Sequence, residues 1–394
     1  MRIKKIKDAY KIIMLLTLLG SVIGCVEPIE IETGTYENAL VIEGTITNEL
    51  SHQEILLSRT YPLEESGPSL ERNADVRVVS SSNVYQFSEV EPGRYSSVQP
   101  FKAVQGEQYI LEITTSNGDE YSSEPEELPQ GSTISSLYAE KLNFEGETGV
   151  AILVDVTGPE ATSGYYRYDY SETYKIVSPF KFNLDARVVN GEFVEFPKTK
   201  EETICYVTEE SQEIFLANTN VQAGSDLDAF LIKFMEFSHF KTAHRYSILV
   251  RQFSISEESY SYYQTLKDFS DSESLFTQNQ LGLINGNVFS VSDPGEPVVG
   301  IFTVARVSSE RIFFDFEDFY GDLDFGIDAH VKCEVLYPPT STVNDREAIG
   351  GQLENGSLKY LGFEMGVGYR FIKTGCVDCT VFGSNVPPDF WQEK

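Results

Sequence analysis

Period-two alternation constrains this chain more than any other feature. In "ALVIEGTIT" (39–47), Val41, Glu43 and Thr45 alternate with Ile42, Gly44 and Ile46. In an extended strand one set faces a core and the other faces water. "VRVVS", "VYQF", "GRYSSV", "QYILEITT" and "DEYSS" follow before residue 124. "SNGD" at 116–119 marks a hairpin, because Asn and Gly accept positive φ. Short strands at this spacing predict an immunoglobulin-like or transthyretin-like sandwich over 39–130. "PEELPQGS" (125–132) reads as a linker.

A larger β-rich domain with one or a few short helices is expected over 135–394. "GVAILVDV", "AFLIKFMEF", "RYSILVRQF", "VVGIFTVARV" and "RIFFDF" are its strand candidates. In "GYYRYDYSETYKI", Tyr166, Tyr168 and Tyr170 share one face, and Arg167 and Asp169 the other. The 26 Phe and 22 Tyr, beside a single Trp, give a β-leaning composition. One helix stands out, from Glu257 to about Phe269. Ser256 is its expected cap, with Glu257 and Glu258 at the positive end of the dipole. Ile255 and Tyr260 occupy the positions of a hydrophobic staple. Tyr260, Tyr263, Leu266 and Phe269 form a stripe expected to pack on a sheet.

The N-terminus reads as a processing signal. Five basic residues lie among the first 11, followed by the apolar run Ile12–Gly24. That run would rise only about 20 Å as a helix, against roughly 30 Å of hydrocarbon. Charge followed by a short apolar run is the pattern of a secretory signal. Val22, Ile23 and Gly24 before Cys25 are similar to a bacterial lipobox. We therefore expect residues 1–24 to be cleaved and Cys25 to be lipidated with a palmitate-type acyl chain. Residues 25–38, acidic and carrying Pro28, would be the tether. The alternatives are an ordinary signal peptide and an uncleaved anchor.

The formal net charge is −31. Residues 1–24 carry five basic and one acidic side chain, so their removal leaves the rest still more negative. This argues against nucleic acid as a partner, whose phosphates require a basic face.

An exported chain meets oxidising conditions, so Cys205, Cys333, Cys376 and Cys379 are disulfide candidates. Four cysteines allow three connectivities. "GCVDCT" has strand-and-turn flanks, not the helix N-terminus of a redox pair. As an extended strand it would hold its two Cα atoms about 10 Å apart, too far for a bridge. Either a turn at Val377–Asp378 closes this pair, or each cysteine reaches Cys205 or Cys333.

"DFEDFYGDLDFGID" (315–328) partly imitates a calcium loop. Its candidate ligands are Asp322, Asp324 and Asp328, near Gly326. It lacks a third ligand before the glycine and a terminal Glu, so a solvated acidic loop is the competing reading. His52, His239, His244 and His330 are the four histidines, expected in loops or at the surface. No HExxH, GxSxG, phosphate-binding or dinucleotide fingerprint occurs. No catalytic residue and no cofactor site is assigned.

Several stretches together resemble a known family. They are "CVEPIEIE", "LVIEGTITNE", "GYYRYDYSETY", "RYSILVRQFSISEESYSYYQTL", "NGNVFSVSDPGEPVVGIF", "RIFF" and "CVDCTVFGSNVPPDFW". They resemble the domain-of-unknown-function 4249 family, lipoproteins of Bacteroidetes-type bacteria. One departure is "VFGSN", where members often have a double glycine. The resemblance implies an outer-membrane lipoprotein, often encoded beside a TonB-dependent receptor, and carries over no catalytic residue. Glu27, Glu30 and Glu32 are similar to signals that send such lipoproteins to the cell surface. The expected function is a binding or accessory module of a TonB-dependent transporter. The alternatives are a structural or assembly subunit of an envelope complex, and an enzyme acting on glycans or peptides.

Overall fold

The computed structural model describes residues 38–62, 65, 67–158, 164–219, 227–271, 284, 286–321 and 330–394. The protein is mainly β, with a few short helices, as the alternation predicts. The first strands are β1 (Leu40–Thr47), β2 (Glu54–Arg59), β3 (Ser69–Leu70), β4 (Asp75–Ser80), β5 (Val84–Glu91) and β6 (Arg94–Ser97). Next come β7 (Gln108–Thr114), β8 (Glu120–Ser123), β9 (Glu126–Glu127), β10 (Thr133–Phe144), β11 (Glu147–Thr157) and β12 (Tyr165–Val177). Then follow β13 (Leu184–Val189), β14 (Glu192–Pro197), β15 (Ile204–Glu210), β16 (Phe215–Asn218), β17 (Leu227–Glu236) and β18 (Tyr246–Ser254). The last are β19 (Val288–Ser290), β20 (Val298–Phe314), β21 (Leu358–Glu364) and β22 (Gly368–Lys373).

Fifteen strands form one sheet, whose main path runs β15-β12-β18-β20-β1-β2-β6-β5-β4-β7-β8-β19. The N-terminal strands show the expected alternation. In β1, Leu40, Ile42 and Ile46 are buried while Glu43 is exposed. In β7, Tyr109, Leu111 and Ile113 point into the same core. The "SNGD" turn joins β7 to β8, with Gly118 at φ 94°.

β20 unites the two halves of the sheet. Its first part runs parallel to β1, with Ile42 opposite Gly300 and Thr47 opposite Ala305. Its second part runs antiparallel to β18, from Arg306 opposite Ser254 to Phe314 opposite Tyr246. A strand flanked on both edges and covered on both faces needs apolar residues at successive positions. "IFTVA" within β20 is buried throughout. At the far end of the path, β19 turns back towards β20. There the Asn287 side chain imitates a strand partner: Nδ2 donates to Phe302 O (2.7 Å), and Phe302 N–H donates to Oδ1 (2.9 Å).

A separate sheet, β10-β11-β17, packs over β12 and β18. The core between them takes Val150, Ile152 and Val154 from β11, and Tyr166 and Tyr168 from β12. The opposite face of β12 is covered by the Glu257–Asp271 helix, and there Arg167 lies over the rings of Phe253 (4.4 Å) and Tyr263 (5.0 Å). Ser256 caps this helix, its Oγ accepting from Ser259 N–H (3.1 Å). Tyr260 and Tyr263 join Ile255 in an apolar cluster, with Leu266 and Phe269 half-buried further along.

The hairpins β13-β14 and β21-β22 form a smaller module with the Val343–Glu354 helix. Its core holds Ala186, Ile349, Leu358, Tyr360 and Phe371. Among the described residues no helix is long and apolar enough to cross a membrane.

Candidate functional site

The cysteines settle into one of the three possible connectivities. Cys205 on β15 pairs with Cys379, and Cys333 pairs with Cys376. The chain does turn at Val377–Asp378, but the turn sends the two neighbouring sulfurs to different partners. Both bridges fasten the 374–381 segment, one to β15 and one to the chain before the small module. Cys25 and the calcium candidates Asp322, Asp324 and Asp328 lie outside the described residues. Among the described residues, no three of His, Cys, Asp and Glu are grouped to hold a metal.

The histidines are dispersed. His52 Nδ1 lies 2.6 Å from Ser97 O. His239 caps a short 3-10 turn, its Nδ1 accepting from Lys241 N–H (3.3 Å). His330 is edge-on to Phe382, with Nε2 buried and unpartnered among the described residues. His244 lines an open cleft described below.

The densest set of perturbed groups lies between β12, β15, β17 and β18. Glu172 is only 2% exposed. It accepts from Lys233 (2.8 Å), Lys241 (2.7 Å) and the Tyr246 hydroxyl (2.5 Å). Lys241 also pairs with Glu209, which accepts from the Tyr174 hydroxyl (2.8 Å). Burial alone would raise the Glu172 carboxyl; Lys233, Lys241 and Tyr246 outweigh it and hold it below the ordinary value. Burial likewise opposes the Lys241 charge, and Glu172 and Glu209 restore it. This chain of charges is closed by its own partners. It links β12, β15, β17 and β18, and each of its charges meets an opposite charge or a hydroxyl.

In an open cleft, charged groups of both signs converge with room beside them. About 380 Å³ of space is lined by Lys175, Lys181, His244, Arg245, Asp315 and Glu393, among others. Lys175 comes from the end of β12, and Arg245 directly precedes β18. Asp315 opens the short Phe316–Tyr320 helix and accepts from Arg245 Nη1 (2.6 Å). Glu393 enters from above. Its carboxylate accepts from Lys175 Nζ (3.1 Å), the Tyr206 hydroxyl (3.0 Å) and Trp391 Nε1 (3.1 Å). Burial raises the Glu393 carboxyl, but Lys175 and the other donors hold it below the ordinary value. Burial and then Glu393 push the Tyr206 hydroxyl up to about 12. Desolvation at the cleft wall, then Lys175, His330 and Lys181, hold the His244 imidazole below its ordinary value.

Phe390 and Trp391 close one of the stretches that carry the family resemblance, but nothing in the sequence places Glu393 beside Lys175. The one available signal is Trp391, the sole tryptophan in the chain. Its ring is edge-on to Tyr206 (5.0 Å between centroids) and Phe313 (5.9 Å).

No curated protein matches the sequence. Among solved structures, the Yersinia pseudotuberculosis adhesin InvE aligns with 56% of this chain and 57% of its own, at 10% identity and a TM-score of 0.16. A likeness that slight carries no argument. The model of the family described as "Domain of unknown function (DUF4249)" matches residues 26–311, well over half of the chain and short of both Cys376 and Trp391. The protein therefore belongs to the DUF4249 family.

Proposed function

We propose that the protein is an outer-membrane lipoprotein, anchored through Cys25 and displayed at the cell surface. There it serves as a binding or accessory module of a TonB-dependent transporter. The observation that carries this reading is the cysteine count. Of five cysteines, four are consumed in two disulfides. The fifth, Cys25, stands at the end of a signal-like apolar run. Disulfides also fit an oxidising compartment outside the cytoplasm. The β21-β22 hairpin adds support for a contact role. Its tip exposes Phe363 (55%), Met365 (88%) and Val367 (55%), which is apolar surface of the kind that marks interaction sites.

The test is fractionation and affinity purification from detergent-solubilised outer membranes, for wild type and for Cys25→Ala. Wild type should partition with the membrane and bring down a barrel that mass spectrometry identifies as a TonB-dependent receptor. Cys25→Ala should become soluble and lose that barrel. Abundant membrane-bound protein recovered with no such barrel overturns the transporter role. A deletion strain with altered outer-membrane protein levels and normal uptake would favour the assembly alternative.

A further inference from the structure

The 390–394 segment runs along the edge of the cleft, with Glu393 and Lys394 in its wall and Trp391 packed beside it. Two side chains do the docking. Trp391 lodges against Tyr206 and Phe313, and two residues on, Glu393 takes Lys175 and the Tyr206 hydroxyl. Phe390 extends the contact, with the Arg311 guanidinium 3.6 Å from its ring centroid. We propose that the cleft edge formed by Lys175, Tyr206 and Phe313 is a binding site for a peptide with an aromatic residue two positions before a carboxylate, and that Phe390–Lys394 is its resident, displaceable occupant.

Three further observations support exchange over permanent docking. First, the cleft has more cation than the segment uses. Lys181 has no carboxylate within ion-pair distance among the described residues, and His244 makes no hydrogen bond there. The local field is positive, since Lys175 and Lys181 both act against protonation of His244. Apart from the segment itself, the lining sets Lys175, Lys181 and Arg245 against Asp315 and Glu317. Second, beside the hydrogen bond from Arg245 Nε to Gln392 O, the ion pairs of the segment are half-exposed. The Glu393 and Lys394 side chains are 54% and 61% exposed in their pairs with Lys175 and Asp318. Exposed ion pairs contribute only about 0–1 kcal/mol each. Third, about 380 Å³ of space lies beside the segment, with Glu393 and Lys394 in its wall, so a longer peptide has room there. A peptide with a second acidic group would meet Lys181 and His244 as well as Lys175. This inference does not depend on the identity of any membrane partner.

Because Trp391 is the sole tryptophan, its emission reports the state of the segment in the full-length protein. The probe is a synthetic pentapeptide matching residues 390–394 with tyrosine in place of tryptophan. Its control has glutamine in place of glutamate. Titration with the probe should red-shift Trp391 emission saturably, and the control should bind about tenfold more weakly. A dye-labelled probe should bind Glu393→Gln protein about tenfold more tightly than wild type, because the resident carboxylate no longer competes. Binding should be lost in Lys175→Gln. If that variant unfolds at lower denaturant than wild type, the exposed Lys181→Gln replaces it and should weaken binding. An unchanged emission together with no probe binding to Glu393→Gln overturns the proposal. So does an equal response to probe, control and inorganic phosphate, which would mark a non-selective anion site. Dimerisation of Glu393→Gln without probe uptake also overturns it, in favour of exchange between copies.

Discussion

Glu126 shows how one residue can bias the whole molecule. It is 5% exposed, and its Oε1 accepts from Asn287 Nδ2 (3.2 Å) and, more weakly, from Ser256 Oγ (3.4 Å). It thereby touches the cap of the Glu257–Asp271 helix and the residue that ties the turn before β19 to β20. Burial, then the nearby Glu258 charge, raises its carboxyl to about 7 from an ordinary 4.5. The folded protein thus holds a proton that the unfolded chain has released between those values. Stability should fall as pH rises from about 4.5 through 7, and level off above. Glu126→Gln keeps the acceptor and removes the charge. It should flatten this part of the profile and stabilise the protein at pH 8 by about 2 kcal/mol. Urea midpoints from pH 5 to 8 check this, and parallel profiles for the two proteins would contradict it. At this scale the sequence was only partly legible. Ser256 as a cap was readable because capping depends on neighbours in the chain. Glu126 was hidden in an apparent linker, because its burial comes from residues 130 and 161 positions away.

Among the elements, β20 carries the most structure. Where it starts beside β1, Gly300 adopts φ 112°, and a Cβ there would stand 1.9 Å from Ile42 O. Only glycine satisfies both the backbone and the space. Gly300→Ala should cost about 2 kcal/mol or more, by strain and by prying β1 from β20. A denaturation midpoint within error of wild type would mean that the two strands can part without cost. The alternation in β1, β7 and β12 was legible because a half-buried strand writes its faces in period two. "VVGIFTVARV" and "RIFFDF" were legible as two strand candidates, which β20 joins into one strand from Val298 to Phe314. The apolar run of the first states that both faces are covered, without saying that the two ends of one strand serve different neighbours. Arg167 and Asp169 read as the face opposite the tyrosines, and nothing in the pattern says that the Glu257–Asp271 helix covers Arg167. Tertiary cover is absent from local pattern.

At the scale of the whole molecule, the two disulfides span 174 and 43 residues. In the chain-entropy model the longer bridge stabilises by about 5 kcal/mol and the shorter by about 4. Replacing Cys205 and Cys379 with serine should therefore lower stability more than replacing Cys333 and Cys376. Guanidinium unfolding of the two double variants ranks them, and the reverse order would show that native strain or denatured-state structure dominates. The connectivity was not legible, because it depends on bringing β15 to a segment far along the chain. The cleft escaped notice for the same reason. Lys175, Arg245 and Glu393 become neighbours only after the large sheet forms. The pairing of β1 with β20 has a further consequence during synthesis. Leu40 must wait for Val298 before its second edge is covered. At translation rates of roughly 5–20 residues per second, that is a delay on the order of tens of seconds. Throughout it, a nascent chain offers an open strand edge with Leu40, Ile42 and Ile46 beside it, the template on which chains pair wrongly.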